Sequence, residues 1–452
     1  MDIQFLIKEF TKTITLYLAF PAVLILGMYL TVKLRCIQLS KLKLSLHYLL
    51  KKDDQADQGI SQYQALSAVL AGNFGAGNIP GMAMALTTGG PGALIWMWVM
   101  AFLGASIQYA SCVLGGKFSQ LDRANKEQVG GPMYYLAEGL GFRGLALLFS
   151  LFTIVAAISV GNFVQINSIL LPLNEMGVPS YIPVAIFGIL ASIVILGGVH
   201  RFANVVSSVV PIMAIMYMGT TILILVYHAD LIWPSIKLMF QSAFDFSAFF
   251  GGALGAGSVN AISSGFDRGL FATDAGSGLV PILQSNAKAK NPVINGLVTL
   301  VAPLLVMIVC TGTGLVLMVT GAWSEGGLLS TNMVTWAFTK GLNNEIGNYI
   351  VLTALVMFAY TTTLAWANCA ERAVNYIWGC KKAYQFRYFY IGLIPFAALV
   401  PCEIGWLVSD FFICLMLCVN MIGVAFLSNH VIKDSQQFFN IEPVKYTSVE
   451  LV

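Results

Sequence analysis

Charge is what this chain has least of. Only 10% of its 452 residues are Asp, Glu, Lys or Arg, where soluble proteins average roughly 25%. That shortage excludes an ordinary soluble surface. With 58% apolar residues and a mean hydropathy of +0.79, the chain reads as a polytopic membrane protein. Paired carboxylates, nucleophile-base sets and Cys/His clusters are missing at membrane depth, and no loop exceeds about thirty residues. An enzyme is therefore not expected. The eight cysteines form no C-x-x-C pair, and most lie in apolar stretches (Cys112, Cys310, Cys414, Cys418), as small buried hydrophobes do. His47, His200, His228 and His430 fall in loops or at span ends, a poor path for a proton relay. A cleavable leader is lacking too: the first apolar run, near 14 to 32, is too long and its start carries both signs of charge. The net charge of +3 is spread over short loops and forms no patch for nucleic acid.

What is present is a series of apolar stretches, near 14–32, 62–84, 92–116, 144–170, 180–199, 203–227, 247–265, 296–320, 348–368, 387–401 and 405–428. Each suffices to cross a bilayer, the tenth only just, so the expected fold class is an all-α polytopic membrane protein with eleven transmembrane helices. Lys and Arg alternate from loop to loop. Twenty fall on one side, including six in the loop 33–61, and Lys8, Lys12, Lys237 and Lys340 fall on the other. Positive charge is retained inside. The N-terminus is therefore expected outside and the C-terminus in the cytoplasm.

A motif G-x-x-G-A-G-[NS] occurs twice, as Gly72, Gly75, Ala76, Gly77, Asn78 and as Gly252, Gly255, Ala256, Gly257, Ser258. Each helical glycine costs about 1 kcal/mol relative to Ala, so both stretches favour leaving the helix. With the first helix set aside, spans two to six and seven to eleven form two groups of five, each opening with one copy. Five is odd, so the second group enters from the opposite face: a 5+5 inverted repeat preceded by one extra helix. The expected divisions are 1–61, with the extra helix and a basic cytoplasmic loop; 62–230 and 231–430, the two repeats; and 431–452, a cytoplasmic tail. Close helix packing is the plainer reading of either motif alone. The pair points to a secondary transporter. Helix N-termini after a break suit a carboxylate, so the amides of Ala76 and Gly77 are expected at a substrate carboxylate, and carbonyls around Gly252 to Gly255 at its ammonium. Pro80 can start the resumed half-helix.

The run A-G-N-F-G-A-G-N-I-P-G-M-A-M-A-L-T-T-G-G-P-G-A-L-I-W-M-W at 71–98 resembles the alanine or glycine:cation symporter family of prokaryotes. So do G-G-P-M-Y-Y at 130–135, G-N-F-V-Q-I-N-S at 161–168, D-R-G-L-F-A-T-D-A-G-S-G at 267–278, C-T-G-T at 310–313 and T-T-L-A-W at 362–366. The resemblance implies a leucine-transporter-like fold in a bacterial or archaeal inner membrane, sodium or sometimes proton coupling, a small neutral amino acid as substrate, and no organic cofactor. It places Ala76 and Gly77 at the carboxylate and Gln165 and Trp366 at the pocket wall. It also implies a sodium site from the carbonyls of Ala71, Phe74 and Ala359 with the hydroxyls of Thr362 and Thr363. Neutral oxygens suit that hard cation.

Plainer readings stand beside these. Thr362 and Thr363 can bond back to the preceding turn, and Trp366 can be an interface anchor. Asn162 and Gln165, one turn apart, share a face that must find polar partners, whether substrate or another helix. Arg268 and Asp274 lie in a basic segment after the seventh span and read either as a cytoplasmic gate or as a solvated loop. The chain also departs from the family: Ala76 replaces a Thr, Leu305 an Asp, Ser111 a Glu, and Asn368-Cys369-Ala370 a Tyr-Tyr-Gly. The expected function is sodium-coupled import of alanine or glycine, D-alanine included, by alternating access. The alternatives are a proton-coupled or exchange-type carrier of another small amino acid and, in a different class, a channel or transporter-like sensor.

Overall fold

A computed structural model describes residues 3–441 apart from 51–59, 123–126, 245–255, 288 and 290. Among these residues, seven helices are long and apolar enough to span a membrane. They are α1 (Gln4–Lys33), α4 (Ala93–Lys117), α5 (Arg143–Glu175), α7 (Gly198–Tyr227), α11 (Pro292–Val319), α13 (Ile346–Trp378) and α15 (Cys402–Asn440). Between them lie α2 (Gln62–Asn73), α3 (Pro80–Gly89), α6 (Tyr181–Ile195), α8 (Ala229–Ala243), α9 (Ala256–Thr273), α10 (Leu279–Gln284), α12 (Ser330–Leu342) and α14 (Cys380–Gly392). The other four expected spans are thus shorter or interrupted helices. The second is split into α2 and α3, the fifth is the 15-residue α6, and the seventh falls partly outside the described residues. The tenth, expected at 387–401, is α14 followed by a 3-10 turn at Pro395–Leu399. Unforeseen in the loop after α4, a short hairpin pairs Gln120–Asp122 with Glu127–Val129. The last helix runs through residue 430, where a tail was expected to begin.

Helix α2 starts on a capping box: Ser61 Oγ accepts from Gln64 N (3.2 Å) while Gln64 Oε1 accepts from Ser61 N (3.0 Å). It stops at Phe74, and Pro80 opens α3, where a missing N–H costs little. Gly252 and Gly255 of the second motif copy lie outside the described residues. Helix α9 runs unbroken from Ala256 to Thr273, past the expected end at 265. The chain leaves the helix at 274–278, where Asp274 (φ 49°), Gly276 (φ 91°) and Gly278 (φ 93°) are left-handed. The two interrupted helices lie side by side. Thr88 on α3 meets Ser264 on α9 hydroxyl to hydroxyl at 2.7 Å. A Cβ at Gly72 on α2 would come within 3.3 Å of Leu283 on α10. The breaks meet through Asn73 Nδ2, which donates to Thr273 O at 2.9 Å.

Candidate functional site

Backbone released at a break must find new partners. Around the first break the partners are side chains from several helices. Asn78 Nδ2 donates to Asn73 O (2.5 Å), and Asn78 Oδ1 accepts from Cys310 Sγ (3.0 Å) on α11. Thr313 Oγ1 donates to Asn78 O (3.1 Å) and meets the Tyr217 hydroxyl (2.9 Å), tying α7 and α11 to the break. Gln165, carried by α5, accepts from Ala76 N through Oε1 (3.0 Å) and donates through Nε2 to Val160 O (2.9 Å). The Ala76 N–H therefore points at an oxygen held by α5. Gly77 is packed so tightly that a Cβ there would lie 2.8 Å from the Phe271 ring.

On the other side of Phe74, Thr362 Oγ1 stands 2.9 Å from both Ala71 O and Phe74 O, within donating distance of each. The hydroxyl thus meets carbonyls 288 or more positions away. The five residues Ala71, Phe74, Ala359, Thr362 and Thr363 are all at most 2% exposed, and Thr363 Oγ1 has no partner. Trp366, one turn further along α13, is fully buried, so it is no interface anchor. Its indole N–H is also unpartnered. A Cβ at Gly161 would lie 2.3 Å from Trp366 Cβ, so α5 and α13 touch there.

Of the two readings of Asn162, its Nδ2 shows the bond to another helix, donating to Tyr390 O on α14 at 3.2 Å, while its Oδ1 is buried with no partner among the described residues. It sits in a π-helical turn of α5 at Ser159–Phe163. The reading of Arg268 and Asp274 as a solvated loop is corrected. Both are buried, at 6% and 1% exposure. Arg268 pairs with Asp410 on α15 and lines a cavity together with Lys8 and Lys12 from the N-terminus of α1, on the side opposite most basic residues. Asp274 occupies the second break, and its Oδ1 is buried without a partner.

Asp274 thus belongs to the centre, beside Asn73, whose Oδ1 is likewise unpartnered. Asn73, Asn78, Cys310 and Thr313 were missed as site residues, although the doubled G-N in A-G-N-F-G-A-G-N was visible. The acid expected where Ser111 stands is replaced by a neutral network, with Asn420 Nδ2 donating to Ser111 Oγ (3.0 Å) and to Gly276 O (2.8 Å). Buried polar atoms normally have partners. Among the described residues, Asn73 Oδ1, Asn162 Oδ1, Asp274 Oδ1, Thr363 Oγ1 and Trp366 Nε1 lack them, on the two breaks and on the helices α5 and α13 that reach the first. The set comprises three acceptors, one an acid, a hydroxyl and an N–H.

The model of the sodium:alanine symporter family matches residues 1–449. The chain is 36% identical to the sodium/alanine symporter AgcS of Methanococcus maripaludis, over 92% of each chain. It is 38% identical to a Haemophilus influenzae protein named an uncharacterized transporter, over 91% of each. Among solved structures, a Na+-coupled sialic acid symporter aligns at 12% identity and TM-score 0.47, covering 91% of this chain and 86% of that one. A likeness at that level adds nothing to the assignment.

Proposed function

Since the chain belongs to the sodium:alanine symporter family, whose members are multi-pass membrane transporters and not enzymes, we propose that it imports alanine or glycine, including D-alanine, together with sodium. The fold reading is eleven crossings in a 5+5 inverted repeat with one extra helix, α2/α3 and α9/α10 being the equivalent broken helices. The N-terminus lies outside and the C-terminus in the cytoplasm. Moving Arg268 to the N-terminal face leaves nineteen basic residues against five, so the charge rule still favours that orientation.

The observation that carries the proposal is Thr362 Oγ1 seated between Ala71 O and Phe74 O. Residues 288 or more positions apart supply three neutral oxygens to one point, with Thr363 Oγ1 buried beside them. A sodium ion there takes both carbonyls and turns the hydroxyl lone pairs toward itself, so its arrival tightens α13 against the first break. The substrate carboxylate takes the Ala76 and Gly77 amides, displacing Gln165 Oε1, and Asp274 takes the ammonium. Asp274 assumes the role expected of Gly252 and Gly255. Small size is supported by the glycines: a single added methyl at Gly75 would lie 2.7 Å from Thr362 Oγ1. The filled first break and the filled second break then move together as the repeats rock between faces.

The test is radiolabelled alanine and glycine uptake into proteoliposomes under an inward sodium gradient, an inward proton gradient, or neither. Sodium-driven uptake with trans-stimulation is expected. Conductance without saturation, or binding without flux, indicates a channel or a sensor. Proton coupling is the second reading. It is favoured by Asp274, a buried acid at the break whose protonation can replace a cation. Proton-driven uptake indifferent to Thr362 and Thr363 would transfer the coupling to that residue.

A further inference from the structure

On the face that carries the N-terminus, a cavity of about 750 Å³ opens between α1, α3, α9 and the start of α15. Arg268 and Trp406 are on its wall. Beside them the Phe271 ring lies 4.6 Å from that of Trp406 and is the ring against which Gly77 is packed. The contacts from the cavity to the first break therefore run through Arg268 and Trp406 to Phe271 and on to Gly77. The Arg268 guanidinium stands 4.8 Å from the Trp406 ring centre and 5.5 Å from that of Phe271.

The guanidinium is only half used. Nη2 bonds Asp410, whereas Nη1 is buried with no partner in a residue 6% exposed. An unmet N–H on a buried cation costs more than a neutral one. Trp406 Nε1, also on the cavity wall and 3% exposed as a residue, finds no oxygen acceptor, only the weakly accepting Cys402 thiol. Two buried donors on one wall call for an acceptor with two oxygens. Opposite charge is present as well: Asp267, Asp410 and Glu403 line the same cavity. A wall of both signs selects a zwitterion over a net anion or cation.

We propose that this cavity is a second amino-acid site, in which Arg268 Nη1 and Trp406 Nε1 hold a substrate carboxylate while Asp267, Asp410 and Glu403 face its ammonium. It holds substrate ahead of the central site, its carboxylate on the Arg268 and Trp406 side, from which Phe271 leads on to Gly77. This inference rests on the amino-acid transport reading above. It adds a site that the central binding residues do not require.

The experiment is alanine transport in proteoliposomes sorted by orientation, with half-saturation measured separately from the N-terminal face and from the opposite face. Arg268→Lys keeps the charge and the Asp410 contact but offers no second donor arm. It is expected to raise half-saturation on the N-terminal face about tenfold, and Trp406→Phe, which removes one neutral N–H, about threefold. The opposite face and the maximal rate should stay within about twofold, because the central site is untouched. Unchanged values on the N-terminal face, or equal shifts on both faces, would overturn the site and leave Arg268–Asp410 as a structural latch. Trp406→Phe preserves ring and volume, so the test stands if Arg268→Lys fails to fold. Wild-type protein that moves neither alanine nor glycine would defeat the transport reading first and this site with it.

Discussion

The two breaks that meet at the centre differ in charge and in what closes them. The first, between Asn73 and Pro80, is neutral, and the groups it frees are met by its own Asn78 and by Gln165, Thr313 and Thr362 from three other helices. The second, between Thr273 and Leu279, closes on itself: Ser277 N and Oγ both donate to Asp274 O (3.0 and 2.9 Å), and three residues at positive φ make the turn. Two outside amides, Asn73 Nδ2 on Thr273 O and Asn420 Nδ2 on Gly276 O, complete it. It also brings the acid. The first break can therefore respond to what happens on α5, α11 and α13, whereas the second presents one carboxyl group. On the function proposed above, coupling belongs to the former and charge recognition to the latter.

The largest effect should come from removing that charge. Asp274→Asn keeps the shape, and Asn tolerates the φ of 49°, yet uptake should fall by about a hundredfold or more. Elution as a single species in detergent checks that folding survives; uptake within about twofold of wild type would separate Asp274 from the substrate. On the first break, Thr362→Ala should raise the half-saturating sodium concentration about tenfold, and Thr362→Ser should stay within about threefold, since only the hydroxyl is invoked. Equal losses in both would point to packing instead. Gly278→Ala tests rigidity: at φ 93° with Pro132 Cγ 2.7 Å from the new Cβ, it should destabilise by about 1–3 kcal/mol, read as a lowered melting temperature. Gly77→Ala, against the Phe271 ring, should weaken alanine binding more than it lowers that temperature. The smallest effect is at the entrance to the first break. Ser61→Ala removes half of the capping box and should cost about 1 kcal/mol, measured in the same thermal assay with uptake retained.

The first break was legible in the sequence because its glycines, its Pro80 and the neighbouring apolar residues all lie within one window. Thr362 meets the carbonyls of Ala71 and Phe74 beside it. The break at 274–278 escaped the sequence reading for a physical reason. Asp267, Arg268 and Asp274 lower the hydropathy of the segment, so the apolar stretch reads as ending at 265. Arg268 finds Asp410, 142 residues away, and Asp267 Oδ1 accepts from Thr15 Oγ1, 252 residues away. Sequence windows do not see such partners. Tyr390, whose carbonyl accepts from Asn162 Nδ2, lies 228 residues away and is equally out of their reach.

Gln165 Oε1 on the Ala76 amide has a further meaning for turnover. On the proposed function, in which the Ala76 and Gly77 amides receive the carboxylate, the protein supplies an internal competitor for its own cargo. Every incoming carboxylate would be exchanged against an amide oxygen already in place, so affinity would be set by a difference between two similar bonds and stay modest. When cargo leaves, the same oxygen would return, and the exposed helix end would not be left to recapture what has just been released. Loosening that tether by Gln165→Ala would tighten retention and slow discharge together.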